Sequence, residues 1–428
     1  MRRRVRVAVV AVAAVLAAFS LAGCATSRRA QHSTNTAPIA RAAAAPTPSA
    51  GRLRRTFDAV YHRYAHELLG ICMGAIDVRT SAIKCYGKVA RGSRQRPGRG
   101  TLFQIGSISK TFAATLLALR VAGGTAHVED PVRDYIPPAD GSAHVPASMT
   151  LLDLADHRSG LPRSTPGGDG VSSLDDYFSR VGRCERAPDC PAGSPGRTYL
   201  YSNFAFGILG EALGARDGYA ESSYSAWEKD SDANVTGPLG MADTHSWFGW
   251  RAISATTFDQ RRARATRGDP PRQPDPPYFP PAPYADAAAG LYSSTPDMVR
   301  WLSYSMGLSG TPALNAARPY LYDTPSLIRP RDDAGNPRKK VGLAWNIQVH
   351  GHGRTSTTCI AKYGLTRGFT AYIVFVKHHR LGAFVLLNSE PDSPDTPTIG
   401  TRLINTLPWG SRSQRHRTVC DVALSGGS

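Results

Sequence analysis

The chain has 428 residues, of which 41% are hydrophobic and 20% charged, and its formal net charge is +18. Its apolar content is enough for one large core or two smaller ones and excludes disorder over most of the length. A positive balance of this size favours anionic surfaces such as phospholipid headgroups or acidic cell-wall polymers. The basic residues are scattered, however, and Arg2, Arg3, Arg4 and Arg6 crowd the start of the chain, so no nucleic-acid partner is expected.

Those arginines precede an apolar run from Val7 to Phe19 and then Leu21-Ala22-Gly23-Cys24. A charged start, a short apolar stretch and small residues before a cut form a secretory signal. The run falls short of the roughly 20 residues of a transmembrane helix. Leu-Ala-Gly-Cys resembles the bacterial lipobox. The resemblance implies that residues 1–23 are a removable signal peptide and that Cys24 carries lipid. The protein is then exported and lipid-anchored to a bacterial membrane, facing the periplasm or the cell exterior. Residues 25–50 are rich in Ala, Ser, Thr and Pro without periodicity, so 24–50 reads as a lipidated, disordered tether. Residues 51–410 are expected to be catalytic, and 411–428 a C-terminal tail.

Without Cys24 there remain Cys72, Cys85, Cys184, Cys190, Cys359 and Cys420. An even count in an oxidising compartment suggests disulfides, although six cysteines allow fifteen connectivities. Proximity in sequence favours Cys72–Cys85 and Cys184–Cys190, which leaves Cys359–Cys420. No Cys-x-x-Cys pair occurs, and the closest histidine pairs are His350/His352 and His378/His379. With no carboxylate or cysteine cluster beside them, no metal and no cofactor are expected.

In chain order, Leu53, Phe57, Val60, Tyr61, Tyr64 and Leu68 recur at helical spacing and predict a helix over 53–68. Residues 71–78 and 82–88 read as a hairpin. A long helical and loop-rich middle follows. It includes 262–284, where eight prolines among arginines and aromatics predict an exposed irregular loop. Strands are expected at 341–349, 356–363, 369–377 and 381–388, and a last helix from Thr398. Strands at both ends with helices between predict an α+β fold, its antiparallel sheet completed by both termini.

The chemistry centres on Phe103-Gln-Ile-Gly-Ser107-Ile-Ser-Lys110. After Gly106 the pattern turns helical and apolar on nearly every face as far as Gly123, which places the helix in a core. Ser107 then sits in the first turn, with Lys110 three residues on and within reach. A serine hydroxyl needs a base to take its proton, and burial lowers a lysine toward that task. Ser81-Ala-Ile-Lys84 has the same spacing, but lies on a hairpin where the two side chains face opposite sides. Tyr201-Ser-Asn203 supplies a phenol able to relay a proton and an amide able to accept from lysine. Lys362-Tyr363-Gly364 offers an edge-strand cation for an anionic substrate, and a glycine that lets a backbone approach. No Gly-x-Ser-x-Gly elbow exists in the chain.

Ser107-Ile-Ser-Lys110, Tyr201-Ser-Asn203 and Lys362-Tyr-Gly364 together resemble the class C β-lactamase family. Leu151-Leu-Asp-Leu-Ala-Asp-His-Arg-Ser-Gly-Leu-Pro, Gly237-Pro-Leu-Gly-Met241 and the stretch from Ala289 to Trp301 support the match. Within that family the chain looks most like periplasmic penicillin-binding D-alanyl-D-alanine carboxypeptidase/endopeptidases. The resemblance implies a β-lactamase/transpeptidase-like antiparallel sheet flanked by helices, with an inserted helical domain. It implies that Ser107 forms an acyl-enzyme while Lys110 and Tyr201 move protons. Asn203 would hold substrate and Lys362 would face its carboxylate. The N–H groups of Ser107 and Leu365 would form the oxyanion hole. Substrates would be peptidoglycan peptides or β-lactams. A β-lactamase or esterase, or a low-turnover penicillin or muropeptide sensor, shares the same acylation step. One departure stands out: Tyr363 replaces the small hydroxyl residue usual after the lysine, and is expected to hinder a substrate carboxylate.

Overall fold

Two stretches, Phe369-Thr-Ala-Tyr-Ile-Val-Phe-Val and Leu381-Gly-Ala-Phe-Val-Leu-Leu, are apolar almost without interruption. Strands of that kind bury both faces, and these two occupy the centre of the sheet. The structure is a computed structural model that describes residues 50–77, 80–137, 145–164, 195–196, 199–216, 226–264, 286–323, 339–350, 357–389, 396–407 and 420. The signal segment, Cys24, the tether, Cys184, Cys190 and most of the proline-rich stretch lie outside the described residues.

The described chain opens with helix α1 (Ala50–Tyr64) and the hairpin β1 (Gly70–Asp77) and β2 (Thr80–Gly87). Strand β3 (Phe103–Gln104), helix α2 (Ser109–Ala122) and the short α3 (Leu151–Ala155) follow. The middle continues with α4 (Asn203–Arg216), α5 (Ala226–Ser231) and α6 (Trp247–Arg261). Strand β4 (Tyr292–Ser293), α7 (Thr295–Ser305) and α8 (Pro312–Tyr322) come next. The end is β5 (Lys339–Val341), β6 (Asn346–His350), β7 (Thr357–Thr366), β8 (Phe369–Val376), β9 (Leu381–Leu387) and α9 (Thr396–Thr406). Seven strands form an antiparallel sheet in the order β2-β1-β9-β8-β7-β6-β5. The expected closure by both termini is what the sheet shows.

Side-chain alternation sorts the two faces. Tyr372, Val374, Val376, Ala383, Val385 and Leu387 pack against Leu53, Phe57 and Val60 of α1 and Ile399 and Leu403 of α9. Ala371, Ile373, Phe375, Phe384 and Leu386 face the larger cluster with Phe112, Leu116 and Trp301. Helix α2 is buried from Ser109 to Ala118, as its all-round apolar pattern requires.

Two expectations change. The strand expected over 341–349 is two, β5 and β6, because Gly342–Trp345 turn back on themselves, with Gly342 N–H donating to Trp345 O and Ala344 at φ 66°. The lysine motif also lies within a strand instead of ending one, since β7 runs on to Thr366. Its pairing with β6 stops at Ala361, so β7 is interior up to that point and has an edge from Lys362 onward.

Cys72–Cys85 ties the β1–β2 hairpin, and Cys359–Cys420 ties β7 to a residue within the expected tail. Cys420 is buried, and its backbone N–H and C=O both hydrogen-bond the Asn405 side chain at 3.3 Å. Loop-closure entropy scales with separation, here 61 residues against 13. Cys420→Ser is therefore expected to cost up to about 4 kcal/mol and Cys85→Ser up to about 3 kcal/mol. Urea unfolding of the two variants checks this order.

Candidate active site

The site is built where a tight turn meets the free part of β7. Gly106 takes φ +53°, which lets the chain leave β3 and enter a single 3-10 turn, Gly106–Ile108, that leads into α2. A Cβ on Gly106 would lie 2.7 Å from Leu365 N, and one on Gly364 would lie 2.0 Å from Ile105 O and 3.2 Å from Ser107 N. Only two glycines let these backbones pass so closely, and they bring the amides of Ser107 and Leu365 to one place.

Ser107 Oγ lies between two side chains. Lys110 Nζ is 3.1 Å away, and the Tyr201 hydroxyl donates to it at 2.5 Å. Lys110 also donates to Asn203 Oδ1 at 2.7 Å and to Ala288 O at 2.6 Å. Burial, then the positive charges of Lys362 and Arg163, hold its amine well below the usual lysine range. A neutral amine has two N–H bonds and one lone pair. With Asn203 and Ala288 taking the N–H bonds, the lone pair faces the serine proton. Burial raises the Tyr201 phenol above its ordinary value, although the Ser107 contact works the other way. Tyr201 therefore stays protonated at neutral pH. Of the two, Lys110 is the group suited to act as base.

Tyr201 belongs to no helix or strand, and its position comes from a segment to which sequence reasoning gave no role. Leu200 N–H donates to His157 O at 2.7 Å and Ser202 N–H donates to His157 Nδ1 at 3.1 Å. The imidazole lies 4.4 Å from the Tyr201 ring, between centroids. Asn203 N–H donates to Arg163 O, and Ser202 Oγ donates to Pro162 O. Asn203 then opens α4 with its amide on Lys110. The signal was available in Asp156-His157-Arg158-Ser159-Gly160, a His before a turn, but its partner lies 45 residues on.

Lys362 is buried, its Nζ donating to Ala344 O at 2.6 Å, and burial lowers it to about 7. It lies 5.5 Å from the centroid of the Tyr201 ring. Strand alternation sends Tyr363 the opposite way, into the cluster with Cys359 and Ala361 on the far face of the sheet. The expected obstruction by its phenol does not follow from this placement. Leu365 is partly exposed and contributes its backbone. Ser81 and Lys84 fall on β2, with Lys84 ion-paired to Asp58 at 2.5 Å, away from this constellation.

The beta-lactamase family profile matches residues 57–406. The chain belongs to the beta-lactamase family. It is 27% identical over 338 residues to the D-alanyl-D-alanine-carboxypeptidase/endopeptidase AmpH of Escherichia coli, covering 77% of this chain and 81% of that protein. It is 24% identical over 356 residues to a beta-lactamase of Pseudomonas fluorescens, covering 75% and 89%. A class C beta-lactamase structure superimposes with a TM-score of 0.66 at 19% identity, over 84% of this chain and 96% of that one. A beta-lactamase/D-alanine carboxypeptidase from Pseudomonas syringae gives 0.66 at 19%, over 83% and 98%. These structures establish the β-lactamase/transpeptidase fold. Like its family, the chain is a serine hydrolase.

His157→Ala removes both the imidazole that accepts from Ser202 and the ring against Tyr201. Misplacing a proton-transfer group by about 1 Å costs on the order of 100-fold. The acylation rate is expected to fall 10- to 100-fold with Ser107 still reactive, measured with a chromogenic β-lactam under single-turnover conditions.

Proposed function

We propose that this beta-lactamase-family serine hydrolase is a penicillin-binding D-alanyl-D-alanine carboxypeptidase/endopeptidase acting on peptidoglycan peptides. The observation that carries the reading is the Ser107 hydroxyl held between a neutral-leaning Lys110 amine and a protonated Tyr201 phenol. The likeness to AmpH across most of both chains supports the substrate class.

In this mechanism Lys110 takes the Ser107 proton as Oγ bonds to the carbonyl carbon of the scissile amide. The negative oxygen is met by the amides of Ser107 and Leu365, an arrangement typically worth about 3–4 kcal/mol per donor. Tyr201 gives its proton to the departing amine and regains one from Lys110, so the C–N bond breaks without releasing an anion. Water then hydrolyses the acyl-enzyme. Asn203 orients the substrate carbonyl, and Lys362 faces the terminal carboxylate. We further take the chain to be exported and tethered through Cys24. The arginine-led apolar run and Leu-Ala-Gly-Cys support that placement.

β-Lactam hydrolysis is a second reading, favoured by relatives named as beta-lactamases. The two share acylation and separate at deacylation, where about 4 kcal/mol corresponds to roughly a thousandfold in rate. Intact-mass spectrometry with a penicillin tests both. A persistent adduct together with release of D-alanine from muropeptides supports the peptidase. A fleeting adduct with released, hydrolysed drug supports the β-lactamase and overturns the first reading. Ser107→Ala should abolish the adduct, whereas Ser81→Ala should leave it intact.

The pH profile follows from the two lysines. Lys362, lowered to about 7, is charged below that pH and neutral above it. Lys110, held low, gains neutral fraction as pH rises. For substrates with a free carboxylate, KM is expected to rise between about pH 6 and 8.5 while kcat does not fall. Lys362→Met should raise KM at the lower pH and flatten its dependence, and substrates lacking the carboxylate should not show the rise.

A further inference from the structure

The sheet has two ends, and the catalytic groups belong to one of them. Gly364 and Leu365 lie toward the far end of β7, where Gly364 pairs with Ala371 and packs against the Ser107 backbone. At the other end Cys359 of β7 pairs with Val376, Val376 with Leu381, and Asp77 of β1 with Thr80 of β2. The strand from Cys359 to Gly364 is about 17 Å long.

Helix α1 starts at that second end. The Tyr61 ring stacks on Tyr86 at 4.3 Å between centroids, and Asp58 accepts hydrogen bonds from Lys84 and Tyr86 of β2. After Tyr64 the chain soon begins β1 at Gly70, which pairs with Gly87. Earlier residues of α1 therefore lie toward earlier residues of β2. From Tyr61 back to Ala50 the helix covers about 16 Å, and from Tyr86 back to Thr80 the strand covers about 20 Å. The chain before Ala50, Cys24 included, thus joins the fold at the end away from Ser107.

That end is basic. Arg54 and Arg55 are exposed in the second turn of α1. The β8–β9 turn reads Lys377-His-His-Arg380, with Arg380 exposed, and Lys340 of β5 pairs with Ile347 of β6. Asp77 is buried, and the carboxylate of Asp323 is bonded to Lys377. Among these described residues the balance stays positive. Anionic phospholipid attracts such a surface within about 8 Å at physiological salt.

We propose that this end of the sheet lies on an anionic phospholipid bilayer, so that Ser107 opens away from the membrane. The inference rests on the anchoring through Cys24 taken above. An anchor confines the end of the fold to which it is joined, and cations on that same end then select the orientation. Charge alone does not decide it. The stretch after β2 also exposes Lys88, Arg91, Arg94, Arg96 and Arg99, at the catalytic end where Gly87 leaves the sheet. The entry of the chain at Ala50 separates the two ends. Ser107 then stands about 17 Å or more above the headgroups. The substrates within its reach are peptides of a polymer outside the bilayer, not groups at the lipid surface.

The test uses the full chain, purified in detergent and reconstituted on phosphatidylcholine vesicles with or without phosphatidylglycerol. A dye is attached through Ser81→Cys at the proposed membrane end, or through Gln95→Cys at the catalytic end. Both positions are exposed and uncharged. On phosphatidylglycerol vesicles, nitroxide-headgroup lipids should quench the dye at 81 at least about threefold more than the dye at 95. The ratio should fall toward one at 1 M salt, where screening acts within about 3 Å, with the chain still attached. Arg54→Gln with Arg55→Gln and Arg380→Gln should lower the ratio in the same way. Lys88→Gln with Arg94→Gln and Arg96→Gln removes as much charge and should leave it unchanged. Equal quenching at the two positions, or stronger quenching at 95, on vesicles that retain the chain would overturn the proposal. A chain that washes off the vesicles would overturn the anchoring itself, and this inference with it, so the two failures are told apart.

Discussion

Lys110 is buried to 0% exposure, and the oxygens it touches, those of Ser107, Asn203 and Ala288, are neutral. An ammonium ion in such surroundings has lost its water and gained no counter-charge, and desolvation then favours the amine. Much of the local architecture can be understood as holding that condition. The apolar faces of α2 exclude water, the π turn at Ala288 and the start of α4 each offer one acceptor, and Lys362 adds a second positive charge nearby. A carboxylate placed beside Lys110 would restore the ammonium ion and remove the base.

The second constraint is positional. Helix α2 brings Ser107 and Lys110 as a unit, but Tyr201 and Lys362 arrive from separate segments and must be registered against it. His157 and Arg163 fix the first by backbone and ring contacts. The carbonyl of Ala344 fixes the second. These two supports touch, since Ala344 N–H donates to Ala155 O at 2.9 Å, two residues from His157. The Tyr201 phenol and the Lys362 side chain thus share one scaffold.

Ser107 and Lys110 were legible in the sequence because a helix that is apolar all round has only one place to go, and its first turn follows. The sheet was legible for the same reason, as β8 and β9 are continuous apolar runs. The split of β5 from β6 was not, since it depends on a left-handed Ala344 that no turn signature announces. Nor was the side on which Tyr363 lies, because the phase of β7 is set by Lys362 turning inward. His157 was hidden differently. It draws its meaning from Ser202, 45 residues away, and spacing along the chain carries no trace of that pairing.

The sheet itself has a temporal consequence. Its N-terminal hairpin joins the rest through β1 against β9, with Ile71 opposite Leu387. A chain growing from its N-terminus therefore holds β1 with one side unsatisfied until almost the whole sequence has emerged. Pairing over such a distance is slow to form, and the exposed strand edge is open to wrong partners meanwhile. The hairpin disulfide Cys72–Cys85 closes early and locally, so it gives that waiting edge a fixed partner on one side. The last segments to appear, β9 and α9, act as the keystone that turns a set of partly satisfied pieces into one sheet.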